Sequence, residues 1–220
     1  MRLVVGLGNP GPRYAGNRHN VGFIAVDEIV RRHSFAPFKS RFQSLFSEGA
    51  IGPARVMALK PLTYMNESGR AVGEASRFYK LAPAEVLVIH DEIDLAAGKV
   101  KVKQDGGNAG HNGLRSIDAH IGPDYWRLRI GVGHPGDKRL VHPHVLSDFT
   151  PEDAAWLEKT LGAVAEALPL LVAGDEVRFM TRVAFLTKPP RTKPPRAQEG
   201  AVASGKDEIP GPDGDKDPGA

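Results

Sequence analysis

Short apolar runs alternate along this chain with segments whose apolar residues recur at helical spacing. Residues 3–7 form an apolar run that ends at a Gly/Pro cluster, which predicts a buried strand. Residues 21–32 carry apolar side chains on one helical face, which predicts a helix. By the same criteria we expect a hairpin at 44–51 and 54–59, strands at 86–89 and 99–103, and helices at 66–80, 112–121, 151–173 and 175–186. This alternation predicts an α/β fold, a single domain with a mixed, mostly parallel twisted sheet flanked by helices.

Two of the predicted helices have start signals. Asn20 precedes the helix at 21–32 and is expected to be its N-cap, because an Asn side chain accepts hydrogen bonds from free helix N–H groups. Thr150-Pro151-Glu152-Asp153 supplies a cap, a first-turn proline and acidic residues at the positive end of the helix at 151–173.

The C-terminal segment differs in composition from the rest of the chain. Residues 189–220 contain seven prolines, five glycines, five Lys or Arg and six Asp or Glu, with almost no large apolar side chains. Such a segment cannot bury enough apolar surface to offset its ordering entropy. We therefore expect a folded domain at residues 1–188 and a disordered Pro/Gly/charge-rich tail at 189–220.

Composition narrows the classes of protein to which the chain can belong. Its 220 residues are 41% hydrophobic and 25% charged, as in ordinary globular domains. The absence of cysteine excludes disulfides, thiolate metal sites and cysteine nucleophiles. No signal peptide and no apolar stretch of bilayer length are visible, so we expect a cytoplasmic protein without a membrane partner. The net charge of +3 permits an RNA partner without requiring one.

The segment Gly6–Gly11 has the spacing G-x-G-x-x-G directly after a predicted strand, as in dinucleotide-binding turns. A dinucleotide site needs a helix that begins inside the glycine loop, so that its free N–H groups meet the pyrophosphate. Here Pro10, Pro12 and Gly16 interrupt any such helix. A strand-to-loop turn that presents Asn9 to solvent fits the sequence better.

A histidine and an aspartate follow two predicted strands. His19 closes the polar loop after the strand at 3–7, and Asp91 follows the apolar run at 86–89. Ligands of α/β sheets gather outside the carboxyl ends of the strands. If these strands are neighbours, Asp91 can accept a hydrogen bond from His19 and leave the other ring nitrogen free to take a proton from water.

The same region offers residues for two other chemistries. Asp91, Glu92 and Asp94 supply carboxylates for a divalent cation, but with His90 they do not share one face of an extended strand. A serine nucleophile lacks the G-x-S-x-G elbow, and the candidate serines at 68 and 116 lie in predicted helices. We therefore expect no metal and no cofactor.

Uncharged amides and basic strands complete the candidate chemistry. Asn9, Asn66 and Asn112 are each explained alone by helix capping or turns, but together they can orient water or donate to an oxyanion. The basic residues alternate with apolar ones along two predicted strands, at Lys99, Lys101 and Lys103 and at Arg127 and Arg129. Such strand faces suit phosphate contacts, although simple solvation is the commoner explanation.

Taken together, the motifs resemble those of the bacterial peptidyl-tRNA hydrolase family. The matching segments are Val5–Gly11, Tyr14, Arg18–Gly22, Lys60–Gly69, His90–Leu95, Gly110–Leu114 and Arg127–Pro135. They follow the family's order and span residues 1–188, whereas the tail lies outside the resemblance.

The resemblance implies roles for individual residues. His19 would be the general base that activates water, Asp91 would orient it, and Asn9 would contact the peptide side. The remaining contacts implied are Tyr14, Tyr64, Asn66 and Asn112 at the acceptor end, Met65 and His111 along the cleft, and Lys103 with Arg129 at the 5′-phosphate. The implied reaction is metal-free hydrolysis of the ester between peptide and 3′-terminal ribose, which recycles tRNA from prematurely released peptidyl-tRNA. The implied partner is peptidyl-tRNA, held by its acceptor stem and CCA end, and we expect a monomer.

Two competing functions make different predictions. A non-catalytic RNA-binding relative would lack His19 or Asp91, and both are present. A dinucleotide-dependent oxidoreductase would bind a nicotinamide cofactor and have an uninterrupted helix after Gly11.

Overall fold

The computed structural model describes residues 1–188, which form a seven-stranded sheet with helices on both faces. The strands are β1 Leu3–Gly6, β2 Lys39–Arg41, β3 Ser44–Ile51, β4 Ala54–Pro61, β5 Val86–Glu92, β6 Val100–Gln104 and β7 Trp126–Gly131. The helices are α1 Val21–Arg32, α2 Ser68–Tyr79, α3 Asn112–Ile121, α4 Val141–Val145, α5 Pro151–Val172 and α6 Glu176–Thr187. The expected α/β class is confirmed. The predicted tail at 189–220 lies outside the described residues.

The sheet has the strand order β2-β3-β4-β1-β5-β7-β6. The central strands β4, β1, β5 and β7 are mutually parallel, whereas β3 and β6 run in the opposite direction. Two apolar cores lie on the two faces, one built with α1, α5 and α6 and the other with α2 and α3. The predicted mixed, mostly parallel sheet is therefore confirmed, and β1 and β5 lie side by side at its centre.

The first turn of α1 lies directly against the ends of β1 and β5. A Cβ atom on Gly22 would sit 2.3 Å from the carbonyl oxygen of Ile89 and 2.5 Å from the backbone nitrogen of Leu7. A Cβ atom on Gly6 would sit 2.2 Å from the carbonyl oxygen of Gly22. Only glycine allows this approach of helix to sheet, and the approach brings the loop before α1 against the end of β5.

Several element boundaries differ from the sequence expectation. The helix predicted at 66–80 begins at Ser68, after a 3-10 turn at Met65–Glu67. The strand predicted at 86–89 continues to Glu92, because His90, Asp91 and Glu92 still pair with Arg129, Ile130 and Gly131 of β7. The polar residues end the apolar run but not the backbone ladder. The short elements β2 and α4 were not predicted, since three to five residues carry too little periodicity.

The two predicted helix caps have different outcomes. The Thr150 N–H donates to Asp153 Oδ2 at 2.9 Å, so the start of α5 is capped as expected. Asn20 occupies the N-cap position of α1, as predicted, but its side chain makes no capping hydrogen bond. Its amide is engaged instead by the backbone of Asn9.

Candidate active site

The candidate catalytic residues meet at the carboxyl ends of β1 and β5. His19 lies in a 3-10 turn, Arg18–Asn20, between β1 and α1, and Asp91 lies near the end of β5. His111 precedes α3 and caps it. Since β1 and β5 are neighbouring parallel strands, the loops that follow them face each other across the sheet edge.

His19 and Asp91 form a short hydrogen bond. His19 Nδ1 lies 2.8 Å from Asp91 Oδ1. A carboxylate only accepts hydrogen bonds, so the neutral ring carries its proton on Nδ1 and has a lone pair on Nε2. Nε2 makes no hydrogen bond within residues 1–188. The pair therefore has the geometry of an imidazole oriented by a carboxylate, with its basic nitrogen available.

Burial and charge act in opposite directions on this pair. Burial of the ring lowers the pKa of His19, but the Asp91 charge and hydrogen bond outweigh it, and the net pKa is raised above 6.5. Burial likewise raises the pKa of Asp91, but the imidazoles of His19 and His111 bring it well below its usual range. Asp91 is therefore ionised over the whole range in which His19 titrates.

The third member of the cluster is His111. His111 Nε2 lies 3.1 Å from the same Asp91 oxygen, Oδ1, and its ring centroid is 4.9 Å from that of His19. Behind it, the buried ring of His90 packs edge-on at 5.1 Å and directs Nδ1 to the Asp91 carbonyl oxygen at 2.7 Å. Burial lowers the pKa of His90 to about 3, so His90 is neutral at physiological pH. Three imidazoles thus surround one aspartate.

This cluster has the residue types of a metal site, since one ligand atom from each of His19, Asp91 and His111 lies within 4.8 Å of the others. The hydrogen bonds of His111 argue against metal ligation. His111 Nδ1 accepts the N–H groups of Gly113 and Leu114, which leaves the ring proton on Nε2, the atom that faces Asp91. A protonated nitrogen cannot ligate a metal.

Glu92, a carboxylate beside Asp91 that could have bound a metal ion, makes other contacts. Both Glu92 oxygens are engaged, Oε2 by Arg129 and Oε1 by the N–H of Asp94. The serines noted in the sequence hold backbone together. Ser68 Oγ donates to the Met65 carbonyl oxygen, and Ser116 Oγ accepts from the Gly69 N–H. Neither a carboxylate metal site nor a serine nucleophile is supported by these contacts.

Asn9 is held by two other parts of the chain. Its backbone N–H donates to Asn20 Oδ1 and its carbonyl oxygen accepts from Asn20 Nδ2, each at 2.9 Å. Its side-chain Oδ1 accepts from the Met65 N–H at 2.8 Å. The remaining group, Nδ2, makes no hydrogen bond within residues 1–188 and borders the cleft. The Asn9 side chain is thereby fixed in one orientation, with Nδ2 as its free donor within the described residues.

Two cavities open on either side of His19. A cavity of about 490 Å³ is lined by seven of the candidate residues: Asn9, Tyr14, His19, Tyr64, Met65, Asn66 and Asn112. The side-chain amides of Asn66 and Asn112 make no hydrogen bonds to residues of the described range. The second cavity, of about 550 Å³, contains His19, Asp91, His111 and Asn112 and extends to Lys103 and Arg129. Each residue to which the family resemblance assigns a role lines one or both of these spaces, whereas Lys99 and Lys101 line neither.

The basic residues of β6 and β7 do not all point freely into solvent, because Arg127 is buried and Arg129 is paired with Glu92. Lys103 pairs across the strands with Arg127, and Lys101 pairs with Arg129. Arg129 is held by Glu92, with Nε at 2.8 Å and Nη2 at 2.7 Å from Oε2. Arg127 is buried, contacts Asp118 at 3.1 Å, and has no partner for Nε and Nη1 within the described chain. Lys103, Arg127 and Arg129 all line the larger cavity.

Sequence reasoning missed three structural contributors to the site. Asn20 was predicted only as a helix cap, and its hydrogen bonds to the backbone of Asn9 were not predicted. Arg18 is buried and pairs with Asp153 at 2.7 Å, which ties the loop that carries His19 to the start of α5. His142 and Val145 of α4 line both cavities. The sequence signals for Arg18 and Asn20 were their position beside His19 and their place in the matching segment Arg18–Gly22, and α4 gave none because it is five residues long.

The fold does not support a dinucleotide-binding site after β1 either. After Gly11 the chain forms only a 3-10 turn, Pro12–Tyr14, and α1 begins at Val21. No helix N-terminus therefore lies inside the glycine loop.

Within residues 1–188, no helix has the length and apolarity needed to cross a membrane.

Comparisons with known proteins agree with the geometry. Residues 3–192 match the sequence model of the family described as peptidyl-tRNA hydrolase. A peptidyl-tRNA hydrolase of Acidiphilium cryptum (strain JF-5) is 61% identical over 189 residues, which cover 86% of this chain and 98% of that protein. One of Agrobacterium fabrum (strain C58 / ATCC 33970) is 52% identical over 206 residues, covering 93% of this chain and 87% of that protein. The crystal structure of peptidyl-tRNA hydrolase from Acinetobacter baumannii is similar with a TM-score of 0.79 and 40% identity, covering 83% of this chain and 94% of that chain. The chain belongs to the peptidyl-tRNA hydrolase family.

Proposed function

We propose that this protein hydrolyses the ester bond between a peptide, or an N-blocked amino acid, and the 3′-terminal ribose of peptidyl-tRNA. In this role it recycles tRNA from prematurely released peptidyl-tRNA, as a monomer in the cytoplasm. The observation that carries the proposal is the His19–Asp91 hydrogen bond of 2.8 Å beside a cleft lined with uncharged amides. Family membership supports the substrate class.

In the proposed mechanism His19 Nε2 takes a proton from water while the water oxygen attacks the ester carbonyl carbon. The tetrahedral intermediate collapses with cleavage of the carbon–oxygen bond, and His19 returns the proton to the ribose 3′-oxygen. Asp91 holds the reactive tautomer and stabilises the imidazolium that forms between these steps. A positioned base of this kind contributes about 10²–10⁴-fold in rate.

The amides supply the polar contacts that the carbonyl groups need. Asn9 Nδ2 is the free donor of a side chain whose other polar atoms are engaged, so it suits a carbonyl oxygen on the peptide side. Asn66 and Asn112 border the same cavity as His19, where they can orient the water or donate to the developing oxyanion. Met65 and His111 form part of the cleft walls.

The RNA end of the substrate is assigned to aromatic and basic residues. Tyr14 and Tyr64 line the smaller cavity, and Tyr64 is 60% exposed, so its ring is available to stack on a base of the CCA end. Lys103 and Arg129 line the larger cavity, where they suit a phosphate of the acceptor stem. These steps use only side chains of this chain and require no metal or cofactor.

The test is release of peptide from N-acetyl-aminoacyl-tRNA, with EDTA present, by the wild type and by His19→Ala. We expect fast cleavage by the wild type and a loss of at least about 10²-fold in the variant. Circular dichroism and thermal unfolding check that both proteins are folded. An inactive wild type that still binds the tRNA would favour RNA binding without catalysis. Equal cleavage by both proteins would remove His19 from the mechanism.

A further inference from the structure

The side chain of His111 has both ring nitrogens committed to other parts of the protein. Nδ1 accepts hydrogen bonds from the N–H groups of Gly113 at 3.1 Å and Leu114 at 3.4 Å, at the start of α3. Nε2 lies 3.1 Å from Asp91 Oδ1, and the side chain is only 9% exposed. A residue so occupied has no free polar atom for a substrate.

The hydrogen bonds determine where the ring proton resides. Backbone N–H groups are donors only, so Nδ1 of His111 must present its lone pair to them. The positive end of the α3 dipole further disfavours a proton on Nδ1. The proton therefore sits on Nε2, and His111 is a neutral donor to Asp91.

Asp91 Oδ1 consequently accepts from two imidazoles, His19 Nδ1 at 2.8 Å and His111 Nε2 at 3.1 Å. A carboxylate oxygen that is already stabilised by one donor attracts a second proton less strongly. The donor from His111 thus limits how much Asp91 favours the protonated form of His19, the form that cannot accept a proton from water. It also restrains rotation of the buried carboxylate.

We propose that His111 is a positioning residue. Its neutral Nε2–H donor, held in place by the hydrogen bonds of Nδ1 with the start of α3, orients Asp91 toward His19 and preserves the basic form of His19. The inference rests on the proposed function of His19, but it assigns His111 a role other than contact with the substrate. The other ionisable groups that border the two cavities beside His19 are His90, Glu92, Lys103, Arg127, Arg129 and His142 in the larger one and Tyr14, Tyr64, Arg115 and His142 in the smaller one. They are the same in wild type and variant, so a difference between the two reports on His111.

The variant that isolates this role is His111→Asn. Asparagine is a strong N-cap and can keep the cap of α3, but its shorter side chain cannot also reach Asp91. We expect kcat to fall about ten-fold or more, as for loss of a hydrogen bond to a charged group. KM should change little, and the acidic limb of the kcat profile should move to higher pH, because the pKa of His19 rises further.

Two outcomes of this experiment would overturn the proposal. A rise in KM at unchanged kcat and pH profile would make His111 a substrate contact. A loss of thermal stability with an unchanged pH profile would reduce it to a cap.

A second measurement is independent of activity and of the variant's folding. Imidazole ¹⁵N NMR of the wild type should show His111 as the Nε2–H tautomer. An Nδ1–H tautomer would contradict the proposal. If the wild type proves inactive, the proposed function fails, and the NMR result still decides how His111 and Asp91 interact.

Discussion

Asn20 and Asn9 are joined by a reciprocal pair of hydrogen bonds, side-chain amide to backbone, each 2.9 Å long. Because Asn9 Oδ1 is also occupied by the Met65 N–H, Nδ2 is the one polar group of Asn9 without a hydrogen bond within residues 1–188, and Asn9 lines the smaller cavity. A buried residue without any contact of its own to the cleft, Asn20, thereby orients a candidate substrate-binding residue.

Replacement of Asn20 by Ala should therefore weaken catalysis as well as folding. It leaves the N–H and carbonyl groups of Asn9 buried without partners, which costs about 1–3 kcal/mol for such a group. We expect a lower free energy of unfolding in urea and a fall in kcat/KM of about ten-fold or more. Asn108→Ala is the control, since Asn108 contacts Asp118 and the Gly110 N–H rather than Asn9. Wild-type kcat/KM in Asn20→Ala would show that Asn9 does not need this support.

The raised pKa of His19 predicts opposite pH dependences for activity and stability. Activity needs the neutral ring, so kcat/KM should rise with pH through a pKa above 6.5. Protonated His19 is favoured by Asp91 in the folded state, so its contribution to stability is complete below 6.5 and is lost as pH rises through the folded-state pKa. A pH–rate profile and urea unfolding at several pH values measure both.

Asp91→Asn tests the cause of that pKa shift. Removal of the carboxylate charge leaves burial as the dominant influence on His19, so the acidic limb of kcat/KM should move below that of the wild type. The rate should nevertheless fall, because the imidazolium is no longer stabilised. Asp94→Asn is a matched control on an exposed carboxylate close by. An acidic limb at the wild-type position in Asp91→Asn would assign the shift to another group.

Glycine at position 22 should be required for the approach of α1 to the sheet. Gly22→Ala would place a Cβ atom 2.3 Å from the Ile89 carbonyl oxygen, and backbone atoms cannot move aside as a side chain can. We expect destabilisation of about 1–3 kcal/mol or more, as in overpacked cores. Gly162→Ala in α5 is the control, because nothing lies within 4 Å of its Cβ position, and it should be stabilising by about 0.5–1 kcal/mol. Thermal and urea unfolding of both variants measure these changes, and equal stabilities would contradict the packing argument.

Lys103 should contribute to binding rather than to chemistry. If Lys103 contacts a substrate phosphate, Lys103→Ala should raise KM about ten-fold at low salt, leave kcat unchanged, and reduce the salt slope of binding by about one. Lys101→Ala is the control, since Lys101 lies on the same strand and outside the cavity that Lys103 lines. Assays on substrates with and without a 5′-phosphate identify the group, because the wild type but not Lys103→Ala should then distinguish them. Equal KM values for the two variants would remove Lys103 from the binding site.

The sequence by itself determined the fold class and most of its elements. Apolar runs such as residues 86–89 and helical spacing such as residues 21–32 reflect burial on one face, which local patterns record directly. It also placed His19 and Asp91 at the ends of two strands, and its motifs identified the family before any contact was visible.

Only the tertiary structure decided how those residues meet. The adjacency of β1 and β5 brings His19 to Asp91, and the start of α3 sets the tautomer of His111. The partner of Asn20 proved to be the backbone of Asn9 rather than a helix N–H group, and Arg127 proved to be buried. The His19–Asp91 and His111–Asp91 contacts join residues 72 and 20 positions apart in the chain. A hydrogen bond of that kind depends on packing geometry, which residue type and spacing do not encode locally.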